Sequence, residues 1–179
     1  MNKVYGIGLP RTGTASLAEA LKKLAGKETK HHCVLHDNND YRYDSEDIVA
    51  YVDNSFYGKY KKIIKEILLN KYKDSLFILT TRNRSDWERS MSKFTNTCKD
   101  LPDVETYERL IKAVFKCIGK EKNLLIINIF EDSRSVEKLC NFIGVEYQDV
   151  PFPHIKKEDE IEIGTILPQL IWGGVKGSC

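Results

Sequence analysis

The sequence predicts an α/β fold, three layers deep (α/β/α), with helices covering both faces of a mostly parallel central sheet. Three observations carry that prediction. The chain begins with a short apolar strand, a glycine-punctuated turn and a helix, in that order. Two further runs, Leu76 to Thr81 and Leu124 to Ile129, are rich in β-formers and carry no charge, as expected of parallel strands buried on both sides. Helical patterns separate the strands, which is the arrangement of βαβ units. At 179 residues the chain suits a single domain, 1–179, with a sizeable core.

Val4 to Gly8 reads as the first strand, and Ala15 to Ala25 as a helix with Ala18, Leu21, Leu24 and Ala25 on one face and Gly26 as its stop. Lys27 to Lys30 is a polar connection before a second strand over His31 to Leu35. His31, His32, Cys33 and His36 form a compact group of metal-ligand types, but neighbours along a strand point to opposite faces and no second cluster completes a tetrahedron, so no metal is predicted. Asp37 to Asp44 has the composition of a loop. Ser45 is read as capping a short helix through Val52, interrupted at Asp53-Asn54-Ser55. Tyr57 to Tyr72 is helical, with Tyr60, Ile63, Ile64, Ile67 and Leu68 as its buried stripe.

The strand Leu76 to Thr81 runs into Arg82-Asn83-Arg84, after which Ser85 is the expected N-cap of a helix reaching about Thr97. Leu101-Pro102-Asp103 opens another helix, Val104 to about Gly119. After Leu124 to Ile129, Asp132 or Ser133 caps a helix over Val136 to Ile143 that Gly144 closes. From Val150 the periodicity is lost, and the tail Ile161 to Cys179 is read as packing partly back on the body.

The first turn holds the chemistry. A helix that follows a glycine-rich loop leaves its first N–H groups without intrahelical partners, and these join the positive end of the helix dipole to make a cradle for an anion. A Walker loop, G-x-x-x-x-G-K-[ST], requires a Lys and a magnesium-binding hydroxyl after the second glycine. Here Gly8 and Gly13 have the spacing, but Thr14 and Ala15 stand in those two places. Arg11 lies inside the loop instead, with a fork suited to an oxyanion. A dinucleotide G-x-G-x-x-G also fails, since Arg11 occupies the third glycine position.

Pro10-Arg11-Thr12-Gly13-Thr14-Ala15-Ser16-Leu17 resembles the 5′-phosphosulfate loop of sulfotransferases that use 3′-phosphoadenosine-5′-phosphosulfate (PAPS). The 3′-phosphate motif of that family, an Arg ending a strand with a Ser eight residues later, is similar to Arg82 and Ser90. Looser likenesses are Phe130-Glu131-Asp132 through Gly144, and Phe152-Pro153-His154, where Lys156 replaces the family's Asn. The resemblance implies a P-loop-like sulfotransferase fold and transfer of a sulfuryl group from PAPS, with 3′-phosphoadenosine-5′-phosphate (PAP) as product, to a hydroxyl or amine acceptor. It implies that Pro10, Arg11, Thr12, Gly13, Thr14, Ala15, Ser16, Arg82, Ser90 and Lys156 bind the donor, with Arg11 acting on the leaving phosphate. It places the general base between the two motifs, at Asp53 or, behind it, at His32 or His36. As a helix cap, Asp53 would have an equally ordinary structural role.

Two other readings are open: a nucleotide kinase or NTPase with a degenerate P-loop, and a PAP-binding module without activity. The 28 basic and 26 acidic residues are interspersed rather than collected, which argues against nucleic acid as a partner; the resemblance implies a small-molecule, carbohydrate or lipid acceptor. Five cysteines without C-x-x-C spacing suggest reduced thiols rather than a disulfide framework. Met1-Asn2-Lys3 leads straight into a strand and no apolar run has the length of a membrane span, so the expectation is a cytoplasmic protein.

Overall fold

Uncharged, β-forming residues make most of the sheet, and a polar strand lies at one edge. The computed structural model describes residues 3–26, 28–31, 48–52, 74–95, 105, 108–109, 111–112 and 123–155. Its five strands are β1 (Val4–Gly6), β2 (Glu28–His31), β3 (Ile48–Val52), β4 (Leu76–Thr80) and β5 (Leu124–Ile127). They lie in the order β2-β3-β1-β4-β5, and every pairing is parallel. The helices α1 (Thr14–Ala25), α2 (Arg84–Thr95) and α3 (Ser135–Ile143) follow β1, β4 and β5. Residues 105, 108–109 and 111–112 are helical, within the helix expected from Val104 to about Gly119.

Two expectations are corrected. Ile48–Val52 is a strand between β1 and β2, not the end of a helix. Its Ile-Val-Ala-Tyr-Val sequence is mostly β-branched and aromatic, and pairing on both sides settles what a short apolar run leaves ambiguous. The second strand begins at Glu28, inside the stretch read as a polar connection. It pairs with β3 alone among the described strands, and an edge tolerates charge that a central strand does not. The expected helix Tyr57 to Tyr72, the loop Asp37 to Asp44 and the tail from Lys156 fall outside the described residues.

Alternation along the strands divides the core. Val4 and Ile78 face one side, where they meet Leu17, Leu21 and Leu24 of α1 and Val136, Leu139, Cys140 and Ile143 of α3 in one buried cluster. Tyr5 and Phe77, paired in register, stack on the opposite side with ring centroids 6.0 Å apart. They are as buried as Val4, so that face is covered too, and Trp87 and Met91 of α2 are buried outside the first cluster. Burying side chains of this size contributes about 1.5–3 kcal/mol each. Gly26 and Gly144, both left-handed, close α1 and α3 as the sequence predicts, donating to Lys22 O and Cys140 O.

The strand order locates the ligand site. From β1 the chain moves outward to β2 on one side, whereas from β4 it moves to β5 on the other. The carboxyl ends of the adjacent strands β1 and β4 therefore flank the topological switch point, where open α/β sheets hold their ligands.

Candidate functional site

Past β1 the chain stays on the sheet for one more residue, with Ile7 N–H donating to Ile78 O at 2.9 Å. It then turns: the N–H and hydroxyl of Thr12 both donate to Leu9 O, at 3.3 and 2.6 Å. Gly8 is required here because a Cβ would lie 1.9 Å from Thr80 Oγ1. Gly13 caps α1 with φ 95°, where a Cβ would also meet Ile129 Cδ1 at 2.2 Å. Between them Arg11 is left-handed at φ 65°. For a residue with a side chain that costs about 1–2 kcal/mol, and such strain gathers at functional positions. The first α-helical bond of α1 runs from Leu17 N–H to Gly13 O, so the donors of the preceding turn face the loop.

β4 and α2 form the second wall. Asn83, not Ser85, caps α2: its Oδ1 accepts the Ser85 N–H at 3.0 Å and the Ser85 hydroxyl at 2.8 Å. Four contacts tie this wall to the loop. Thr80 Oγ1 lies 2.7 Å from Thr12 Oγ1, Arg82 donates to Arg11 O at 3.2 Å, the Trp87 indole donates to Pro10 O at 2.9 Å, and Arg11 Nε donates to Ser90 Oγ at 3.1 Å. The Arg82 guanidinium also sits 4.3 Å over the Phe130 ring, a cation–π contact. Burial first, then the positive charges of Arg11 and Arg89, lower the Arg82 pKa, and Asp86 opposes them. Two guanidiniums drawn toward one rim, one of them partly desolvated, make that rim a place for anionic groups.

The third wall is the β5–α3 turn and the segment after α3. Phe130 packs against His154, their centroids 6.1 Å apart, and Ile155 N–H donates to Ser16 Oγ at 3.1 Å. Between the turn and that segment lies a cavity of about 520 Å³, lined by 129–137, 147, 149–152 and 154. Phe130 is thus common to the cavity and to Arg82. Asp132 serves the helix: its carboxylate accepts from Arg134 N–H and pairs with Lys138, while Ser135 donates twice to its carbonyl. The Lys138 hydrogen bond, more than any other influence, holds the Asp132 pKa below its ordinary value.

Pro10 to Ser16, Arg82 and Ser90 thus meet at the ends of β1 and β4, and Arg11 touches both Arg82 and Ser90. Asp53, His32, His36 and Lys156 lie outside the described residues. Thr80 and Trp87, which hold the loop, were not singled out in the sequence, and Phe130, which lies against Arg82, stood there only within a looser likeness. A tryptophan one turn into a helix and four residues before Met91 reads as core, which it also is.

Comparison with known proteins adds the following. A family model described as a sulfotransferase domain matches residues 3–104, more than half of the chain. Mouse sulfotransferase SULT7A1, solved in complex with PAP, aligns with a TM-score of 0.54 at 16% identity over 92% of this chain, which spans 63% of that chain's length. A sulfotransferase from Alicyclobacillus acidocaldarius aligns with a TM-score of 0.54 at 14% identity over 94% of this chain and 92% of its own. A gluconokinase from Sinorhizobium meliloti 1021 aligns with a TM-score of 0.50 at 12% identity over 80% of this chain and 91% of its own. At such identities these structures bear on the fold alone. No curated protein sequence matches the chain.

Proposed function

We propose, from the premise that this chain belongs to the sulfotransferase family, that it transfers a sulfuryl group from PAPS to a hydroxyl or amine acceptor by in-line displacement. The observation that carries this reading is the loop itself. It keeps the backbone cradle of a phosphate-binding turn, lacks the Walker Lys and hydroxyl, and instead presents Arg11 within hydrogen-bond reach of Ser90 on the Arg82 wall.

The residues present fit the donor. In this reading the loop N–H groups and Arg11 hold the 5′ end, Arg82 and Ser90 hold the 3′-phosphate, and the adenine ring enters the cavity that begins at Phe130. Mouse SULT7A1, of similar fold, was solved with PAP, which supports a nucleotide of this kind. Bound PAPS supplies an activated sulfuryl group with a phosphate as leaving group. Arg11 and the loop donors stabilise the charge that grows on that phosphate, which calls for preorganised donors on the departing oxygen. Ser16, accepting from Ile155 N–H, keeps its own hydroxyl hydrogen for the donor. The base that takes the acceptor's proton is assigned to Asp53, ahead of His32 and His36, and the acceptor to a small molecule, carbohydrate or lipid.

Thermal unfolding in EDTA tests the reading. PAP at a hundred times its dissociation constant should add about 2.7 kcal/mol, raising Tm by roughly 5–10 °C. Stabilisation by ATP with Mg²⁺ but not by PAP would instead assign the site to a kinase. PAP binding without turnover across a panel of acceptors with labelled PAPS would leave a binding module.

A further inference from the structure

We propose that Trp87 is a positioning residue for the donor loop: its indole N–H fixes the Pro10 carbonyl and, through the Pro10–Arg11 peptide, the backbone of Arg11. The inference rests on the donor-site reading above. Trp87 is 1% exposed, the bulkiest of the fully buried side chains, and a buried indole takes a hydrogen-bond partner. The partner here is Pro10 O at 2.9 Å, 77 positions earlier in the chain.

That carbonyl is not an arbitrary acceptor. The pyrrolidine ring sets the φ of Pro10, so its ψ is the torsion that can swing the Pro10–Arg11 peptide. Drawing the carbonyl onto the indole removes that freedom. No peptide bond in the described residues is cis, and in a trans peptide the carbonyl and the following N–H point in opposite directions. Arg11 N–H is therefore turned away from α2, and Arg11 enters its left-handed conformation, φ 65°, from a fixed plane. Arg82 then holds the next carbonyl, that of Arg11, and Thr80 holds Thr12. Ser90, the acceptor of Arg11 Nε, lies three residues after Trp87 on the same side of α2. One helix thus sets both the backbone and the side chain of Arg11. A phenylalanine at 87 would keep a buried aromatic ring but lose the N–H that holds the Pro10 carbonyl, leaving the Ser90 contact in place.

The test is Trp87→Phe, read with two ligands. PAP carries a 5′-phosphate for the loop and adenosine 3′-monophosphate does not. Loss of one neutral hydrogen bond should weaken PAP binding roughly three- to tenfold, with kcat for PAPS falling at least as far, while the affinity for adenosine 3′-monophosphate changes less than about twofold. Equal losses for both ligands would mark general loosening of the core and overturn the proposal, as would no loss for either. Wild-type protein that fails to bind PAP overturns the donor-site reading and this inference together, whereas the split between ligands tests this one alone. Should Trp87→Phe not fold, β-(3-benzothienyl)alanine in a Trp172→Phe background keeps the indole's shape without its N–H. The same split is expected of it, and unchanged PAP affinity there would refute the positioning role.

Discussion

Arg82 holds the Arg11 carbonyl, lies on the Phe130 ring and shares its field with Arg11 and Arg89. In the proposed donor site Arg82 gives the 3′-phosphate a charge-assisted bond, so Arg82→Ala should weaken PAP binding tenfold to about a hundredfold by calorimetry. Arg82→Lys should recover little, because an ammonium is a point charge without the guanidinium's fork and planar face. Ser90→Ala should cost less than Arg82→Ala. A folded Arg82→Ala protein with wild-type PAP affinity would remove the 3′-phosphate assignment. Arg11, Arg82 and Ser90 were legible in the sequence because their types and spacing survive as a pattern. Trp87 and Thr80 were not, because each acts on a residue far away in the chain through one polar atom that a core residue of that size could lack, and Phe130 acts through a ring whose place under Arg82 only the fold sets.

At the N-terminus of α3 the Asp132–Lys138 pair makes stability depend on pH. The folded pKa of Asp132 is depressed from 3.8, so its contribution is complete above the unfolded value and is lost as pH falls through the folded one. Because the pair is partly open to solvent, the effect should be under about 1 kcal/mol. Urea titrations of wild type and Asp132→Asn should differ at pH 7 and converge as the pH falls below 3.8. A gap that persists there would mean that the carboxylate's charge is not what supports α3. Among the elements, α1, β4, β5 and α3 could be read because long periodic or uncharged runs are bounded by glycines or an Asx turn. β2 and β3 could not. Glu28 and Lys30 suit an edge that only the finished sheet defines, and five apolar residues before Asp53 fit a strand or a helix equally until neighbours on both sides choose.

For the molecule as a whole, alternating strands and helices were enough to place a parallel sheet and put the site at its carboxyl rim. The order of the strands was not, since it depends on pairings between distant segments. That order has a consequence for folding. The donor motif is local, but the contacts that shape it reach 68, 71, 77 and 79 residues along the chain. β1, α1, β2 and β3 can associate first, whereas the loop acquires its form only once β4 and α2 have docked, after a longer closure that slows folding. On the proposed function, a nucleotide would recognise a late product of folding and find nothing to grip in the transition state. Saturating PAP should slow unfolding and leave the refolding rate unchanged in stopped-flow chevrons. Faster refolding with PAP would show instead that β4 and the loop meet before the barrier is crossed.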